Sequence, residues 1–208
     1  MSMRTRGALV GLTATLLLAF AVSAASARSF SLSNRNFRIV WARLSFFDEN
    51  GVRETLCPVT MEGSFHESTI RKVIGTLIGF ITRVAVNEAL CTGPTRFLTA
   101  ETLPWHVTYQ GFSGLLPRIA SLRVLVRSIA YENTINGVAC LFKENGVNSI
   151  SGEFSIEGGG AIISFEFDER TRIARFGGEL CFVTEAGLKN AGEVTLLGAT
   201  TRIIIRLI

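Results

Sequence analysis

The chain has 208 residues, 48% of them hydrophobic, with 21 Lys and Arg against 17 Asp and Glu. That is enough for one domain with a real core. The formal charge of +4 is dispersed, with no run of Lys and Arg and no basic-aromatic stripe, so the composition argues against a nucleic-acid-binding protein.

Arg4 and Arg6 precede an apolar run from Ala8 to Val22, and small residues follow in Val22-Ser23-Ala24 and Ala25-Ser26-Ala27. That order is a secretory signal peptide over residues 1–27, cut after Ala24 or Ala27. The second site is favoured, so that Arg28 begins the mature chain. The apolar run is shorter than the roughly 20 residues a spanning helix needs. The longest later run, Val73 to Thr82, is broken by Gly75 and Gly79 and stops at Arg83. The expectation is a secreted, extracellular protein with no transmembrane helix once the leader is removed. Losing Arg4 and Arg6 leaves 19 basic residues against 17 acidic, a net charge of +2.

Cys57, Cys91, Cys140 and Cys181 all lie in the exported part. In an oxidising compartment an even number implies two disulfides, for which three pairings exist. Cys57–Cys91 with Cys140–Cys181 is favoured, because each bridge then staples one half of the chain. No C-x-x-C pair is present, which argues against a tetrathiolate zinc site. No metal or cofactor is expected.

Residues 28–36, rich in Ser, Asn and Arg, read as a flexible lead-in to a single domain over 37–208. Phe37, Ile39 and Trp41 alternate, then Leu44 and Phe46 follow out of phase, which predicts a bulge near Ala42 or Arg43. Asn50-Gly51 is a hairpin signal. Pro58 in the returning strand implies an edge position or a break. Residues 69–89 fit a helix face through Ile70, Val73, Ile74, Leu77, Ile78 and Ile81, but two interior glycines and the β-branched content favour a turn near Ser68 to Lys72 and a strand over Thr76 to Val86. Thr95 to Thr102 is read as a strand.

In Leu103 to Pro117 the alternation puts Trp105, Val107 and Tyr109 on one face and His106, Thr108 and Gln110 on the other, with a glycine-rich loop around Phe112. Leu122 to Tyr131 alternates again. Beyond it, Asn136-Gly137, Asn145-Gly146, Gly158-Gly159-Gly160 and Asp168 to Thr171 separate short apolar segments as in successive hairpins. Gly177-Gly178, the segment Glu179 to Val183, a loose Thr184 to Gly192, and strands at Val194 to Leu197 and Thr201 to Ile208 complete the chain. Ten or more strands without a strong helix predict an all-β, largely antiparallel sandwich or partly open barrel carrying two disulfides. The Asn133 to Gly137 turn is the one plausible seam.

Gly111-Phe112-Ser113-Gly114 places its second glycine one residue too early for a serine-hydrolase elbow, and no strand-to-helix pattern surrounds it. His66-Glu67 begins like a zinc-protease helix, but Ile70 stands where the second histidine belongs. His66 and His106 are the only imidazoles, so any histidine chemistry uses one or both, and a two-histidine site completed by Glu62 or Glu67 is geometrically possible if the two segments lie side by side. Glu153, Glu157, Glu166 and Asp168 could supply paired carboxylates, yet alternating charges on a hairpin are ordinarily solvated. Trp41, Trp105 and Tyr109 fall in apolar phase and read as core. The candidate ligand-binding residues are therefore His106, Phe112 and His66.

The blocks Cys57-Pro58-Val59-Thr60, Gly63-Ser64-Phe65-His66, Leu77-Ile78-Gly79, Cys91-Thr92-Gly93 and Leu103-Pro104-Trp105-His106-Val107 through Leu116-Pro117 resemble a group of secreted, cysteine-containing actinobacterial proteins of unknown function. The similarity spans roughly Phe37 to Cys140, on those motifs alone. It implies export and a common scaffold, and it assigns no activity or catalytic residues.

The reading that follows is a secreted, non-catalytic binding or surface-associated module, its partner a small molecule or a cell-surface component. A β-barrel carrier of an apolar ligand is the first alternative. A hydrolase using His66 or His106 with a carboxylate is the second. Neither ligand nor oligomeric state is legible in the sequence.

Overall fold

The computed structural model describes residues 29–146 and 149–208. The leader expected at residues 1–27 lies outside them. The strands are β1 (Ser29–Leu32), β2 (Asn36–Asp48), β3 (Glu54–Phe65), β4 (Thr69–Arg71), β5 (Leu77–Val86), β6 (Thr95–Phe97), β7 (Trp105–Ser113), β8 (Ser121–Arg127), β9 (Ala130–Ile135), β10 (Val138–Lys143), β11 (Ile150–Ile156), β12 (Ala161–Phe167), β13 (Ile173–Gly177), β14 (Glu185–Lys189), β15 (Ala191–Leu196) and β16 (Ile203–Leu207). A 3-10 turn at Glu88–Leu90 and one helical turn at Thr99–Thr102 are the only helical pieces among the described residues.

Eight strands close into an antiparallel barrel in the order β12-β11-β8-β7-β5-β3-β2-β15, because β15 pairs with both β2 and β12. The sequence left sandwich and open barrel undecided; closure removes the free edges that an open sheet would expose. Two branches leave the ring. β16, β1 and β4 extend from β12 as a flap, and β14, β13, β10, β9 and β6 extend from β2 as an outer sheet. The flap lies at the end where β2, β5, β8 and β12 begin, and the outer sheet lies at the opposite end. Both mouths of the barrel are thereby covered.

Inward residues follow strand alternation. Phe37, Ile39 and Trp41 of β2, Val59, Met61 and Phe65 of β3, Trp105, Val107 and Tyr109 of β7, and Phe154, Phe165 and Phe167 of β11 and β12 are all buried. β3 and β11 stand four places apart in the eight-strand ring, so they are opposite walls. The Phe65 and Phe154 rings nevertheless meet at 6.0 Å, and Phe37 reaches Phe154 at 6.1 Å. Trp41 stacks on Phe167 at 5.8 Å. Aromatic side chains fill the lumen at this level.

Glycines inside the strands make room for those rings. A Cβ on Gly152 would stand 2.3 Å from the Phe165 ring, one on Gly192 2.6 Å from Trp41, and one on Gly63 2.7 Å from Phe37. At Gly152 and Gly192 an aromatic ring lies against the wall, and at Gly63 the Phe80 carbonyl oxygen, 2.2 Å from the Cβ position, stands closer still. The turn reading of glycine holds elsewhere: Asn136 and Gly137, both at positive φ, form the two-residue turn joining β9 to β10.

The expected bulge is present, since the β2–β3 register jumps between Trp41 and Leu44. Opposite it, Asn190 sits at φ 84° between β14 and β15. Trp41 Nε1 donates to the Asn190 carbonyl at 2.9 Å, and Asn190 Nδ2 donates to the Arg43 carbonyl at 2.9 Å. Residues 184–192, read from sequence as loose, are thus two strands clamped to the bulge. Pro58 is not on an edge: β3 lies between β2 and β5. It is tolerated because the β2 register skips there and β5 ends with Val86 opposite Val59, so the missing N–H interrupts no ladder.

The strand expected over Thr76 to Val86 is β5, but the turn expected near Ser68 to Lys72 holds the short strand β4, formed by pairing with β1. Four other expectations change. Ser29–Leu32 of the expected lead-in is β1, with Phe30 fully buried between β16 and β4. Thr95 to Thr102 is strand only to Phe97. Leu122 to Tyr131 is divided at Ser128, whose φ of 70° sends β9 into the outer sheet. Asn145-Gly146 and Asp168–Thr171 join strands of different branches and close no hairpin.

The bridges are Cys57–Cys91 and Cys140–Cys181, spanning 34 and 41 residues. The first ties β3 to the segment before β6. The second holds the β13–β14 loop to β10. No described helix is long and apolar enough to cross a membrane.

Candidate binding surfaces

On β7 the burial of Trp105 and Val107 turns His106 outward, and cross-strand pairing sets Phe80 of β5 beside it. Phe80 also pairs with Ser64, two residues before His66, whose N–H donates to Ile78 O at 2.8 Å. Phe80 lies edge-on to both imidazoles, 6.0 Å from His66 and 5.4 Å from His106. Arg127 of β8 continues the row opposite His106.

The fold thus brings the two histidines onto one outer face, separated by a phenyl ring. Neither imidazole contacts a carboxylate among the described residues, and no described cluster of three or more His, Cys, Asp or Glu could hold a metal ion. Glu62 is engaged elsewhere. It accepts from Arg38 at 2.8 Å and Arg83 at 3.3 Å, and those two guanidiniums hold its carboxyl below the usual range, the Arg38 hydrogen bond first. The row is a flat, polar and aromatic strip rather than an acid-base pair.

Phe112 is half-buried, with its ring edge-on to Phe30 at 5.5 Å. The Lys72 ammonium lies over both rings, 5.5 Å from Phe30 and 5.7 Å from Phe112. The loop expected around Phe112 is strand, since β7 runs to Ser113 with Phe112 paired to Leu122, and this phenylalanine packs under the flap. The side chains that do project there are Leu115 and Leu116, one turn further on. Ser113 makes a 2.7 Å hydrogen bond to Ser121 and meets no histidine.

An open groove of about 660 Å³ runs along the outer wall of β8, β11 and β12, lined by Gln110, Arg123, Ser151, Glu153, Glu166 and Asp168 among others. Glu153 faces Glu166 across one strand pair and Arg123 across the other. Two like charges placed opposite each other are unfavourable in a sheet, and the arginine offsets them. Asp168 is taken up by its own turn, accepting from the Arg170 N–H at 2.9 Å. Glu157 belongs to the β11–β12 turn and does not line the groove.

The sequence reading missed the exposed aliphatic pairs Val73-Ile74 and Leu115-Leu116 and the exposed Phe176, Leu180 and Phe182 beside Cys181. The first two sit in turns marked by Gly75, Gly114 and Pro117, so a search for apolar residues inside turn signals would have found them. No protein-family model matches the chain, and no curated protein or solved structure shows significant similarity to it.

Proposed function

We propose that the protein is exported and works without catalysis, as a binding or surface-associated module whose contacts are made by the outer wall and the loops. The observation that carries this reading is the Phe65–Phe154 contact across the barrel. A carrier encloses its ligand in a hollow lumen, and here rings from opposite walls touch while both mouths are covered. A hydrolase needs a base oriented by a third group, and both imidazoles face Phe80 instead. Export also accords with the resemblance to secreted actinobacterial proteins.

Two measurements test it together. The secreted chain, purified oxidised, is expected to begin at Arg28 and to give a native mass equal to the polypeptide alone; a retained small molecule of constant mass would reinstate the carrier. The labelled mature protein is expected to bind washed actinobacterial cells saturably. Absence of binding to cells and to every envelope fraction would remove the module reading.

A further inference from the structure

The two ends of the barrel carry exposed apolar residues in different electrostatic settings. At the outer-sheet end, Phe176 and Phe182 lie under Lys143 and Arg53, with Glu49, Glu179 and Glu185 nearby in the same loops. The charges there are mixed.

At the flap end they are not. Ile74 is 72% and Leu115 88% exposed, with Val73 and Leu116 beside them. The loops that carry them leave neighbouring strands β5 and β7, and both are fixed. Gly75 N–H donates to Tyr109 O at 2.8 Å, Tyr109 N–H donates to Thr76 O at 2.8 Å, and Arg118 N–H donates to Leu115 O at 2.8 Å. Arg71, Lys72 and Arg118 flank the four aliphatics, and Arg35 and Arg206 lie on the same end. Among the described residues none of these five bases is paired with a carboxylate, and no Asp or Glu occurs in 68–87 or 102–131. Glu67 and Glu157 are the acids of this end.

We infer that the flap end is a membrane-docking surface: Val73, Ile74, Leu115 and Leu116 enter the headgroup region of an anionic bilayer while Arg71, Lys72 and Arg118 meet lipid phosphates. The inference rests on the surface-module reading and names its partner. Projecting aliphatics flanked by cations that have no carboxylate partner among the described residues match an apolar layer lying beneath a plane of negative charge. A protein groove would have to supply both a hydrophobic hole and several carboxylates.

The test is flotation of the oxidised mature protein with vesicles of phosphatidylcholine, with and without phosphatidylglycerol. The expected result is binding at least tenfold tighter to the anionic vesicles, weakening with salt, since each basic residue at such a surface contributes roughly fivefold. K72E/R118E should lose at least tenfold at low salt, and I74S/L115S a similar factor that persists at high salt. V52S/L180S, at the far end, should bind as wild type. Equal binding to both vesicles, no flotation, or double variants that float like wild type would overturn the inference. If both docking variants still bind whole cells, the lipid partner is wrong and the surface-module reading stands. If the wild-type protein binds neither vesicles nor cells, both fall.

Discussion

Phe65 and Phe154, from walls four strands apart in an eight-strand ring, hold their ring centroids 6.0 Å from each other. That contact makes the barrel a core rather than a container, and Phe154 also meets Phe37 and Phe165. Phe154→Ala should therefore destabilise the protein by about 3 to 5 kcal/mol, and the vacated space should take up a small apolar probe such as xenon. The midpoint of urea unfolding measures the first effect. A loss below about 1 kcal/mol would mean that the rings do not bear on stability as a packed core requires.

The wall glycines give a sharper contrast. Gly192→Ala sets a methyl 2.6 Å from Trp41, and Gly152→Ala sets one 2.3 Å from Phe165, so each should cost about 1 to 3 kcal/mol. Gly158→Ala, in the open β11–β12 turn with nothing within 4 Å, should change stability by less than about 0.5 kcal/mol. Thermal melting of the three variants checks the order; equal effects at all three sites would contradict it.

Both bridges close long loops, and each should contribute about 4 kcal/mol by restricting the unfolded chain. Cys140→Ala/Cys181→Ala should lose that much and also release the loop bearing Leu180 and Phe182. Intact mass with and without reductant before alkylation reports how many cysteines are bridged. Four thiols reactive without reductant would refute both bridges.

Glu62 supplies a test by pH. Its folded carboxyl titrates below the ordinary 4.5 because Arg38 and then Arg83 stabilise the anion. The stabilisation is accordingly complete above about pH 4.5 and is lost as pH falls through the lowered value. Glu62→Gln should cost about 1 kcal/mol at neutral pH, since both guanidiniums are partly exposed. The difference from wild type should vanish in acid, and a difference unchanged at pH 3 would exclude the ion pair as its source.

What was legible in the sequence was whatever depends on alternation. Trp105, Val107 and Tyr109 point inward and His106 outward, and the slip after Trp41 marks a real bulge. What was not legible depends on distant partners. Ser29–Leu32 is strand because β16 and β4 lie on either side of it. The packing roles of Gly63, Gly152 and Gly192 were not legible, because only the folded wall shows what lies against each. Phe112 looked like the exposed tip of a glycine loop, but it is the paired end of β7, and Phe30 comes from 82 residues earlier to cover it. The His66–Phe80–His106 row was invisible for the same reason: its members are neighbours only across three strands.

Strand β2 belongs to two assemblies at once. Its first half pairs with β15 inside the ring and its second with β14 of the outer sheet, while β3 runs alongside both. Peeling this one strand away opens the ring and detaches the outer sheet in the same event. Opening the ring therefore carries the outer sheet with it, whereas the outer sheet can open while β3 and β15 still hold β2, so its amide protons should exchange with an opening free energy no greater than that of the ring.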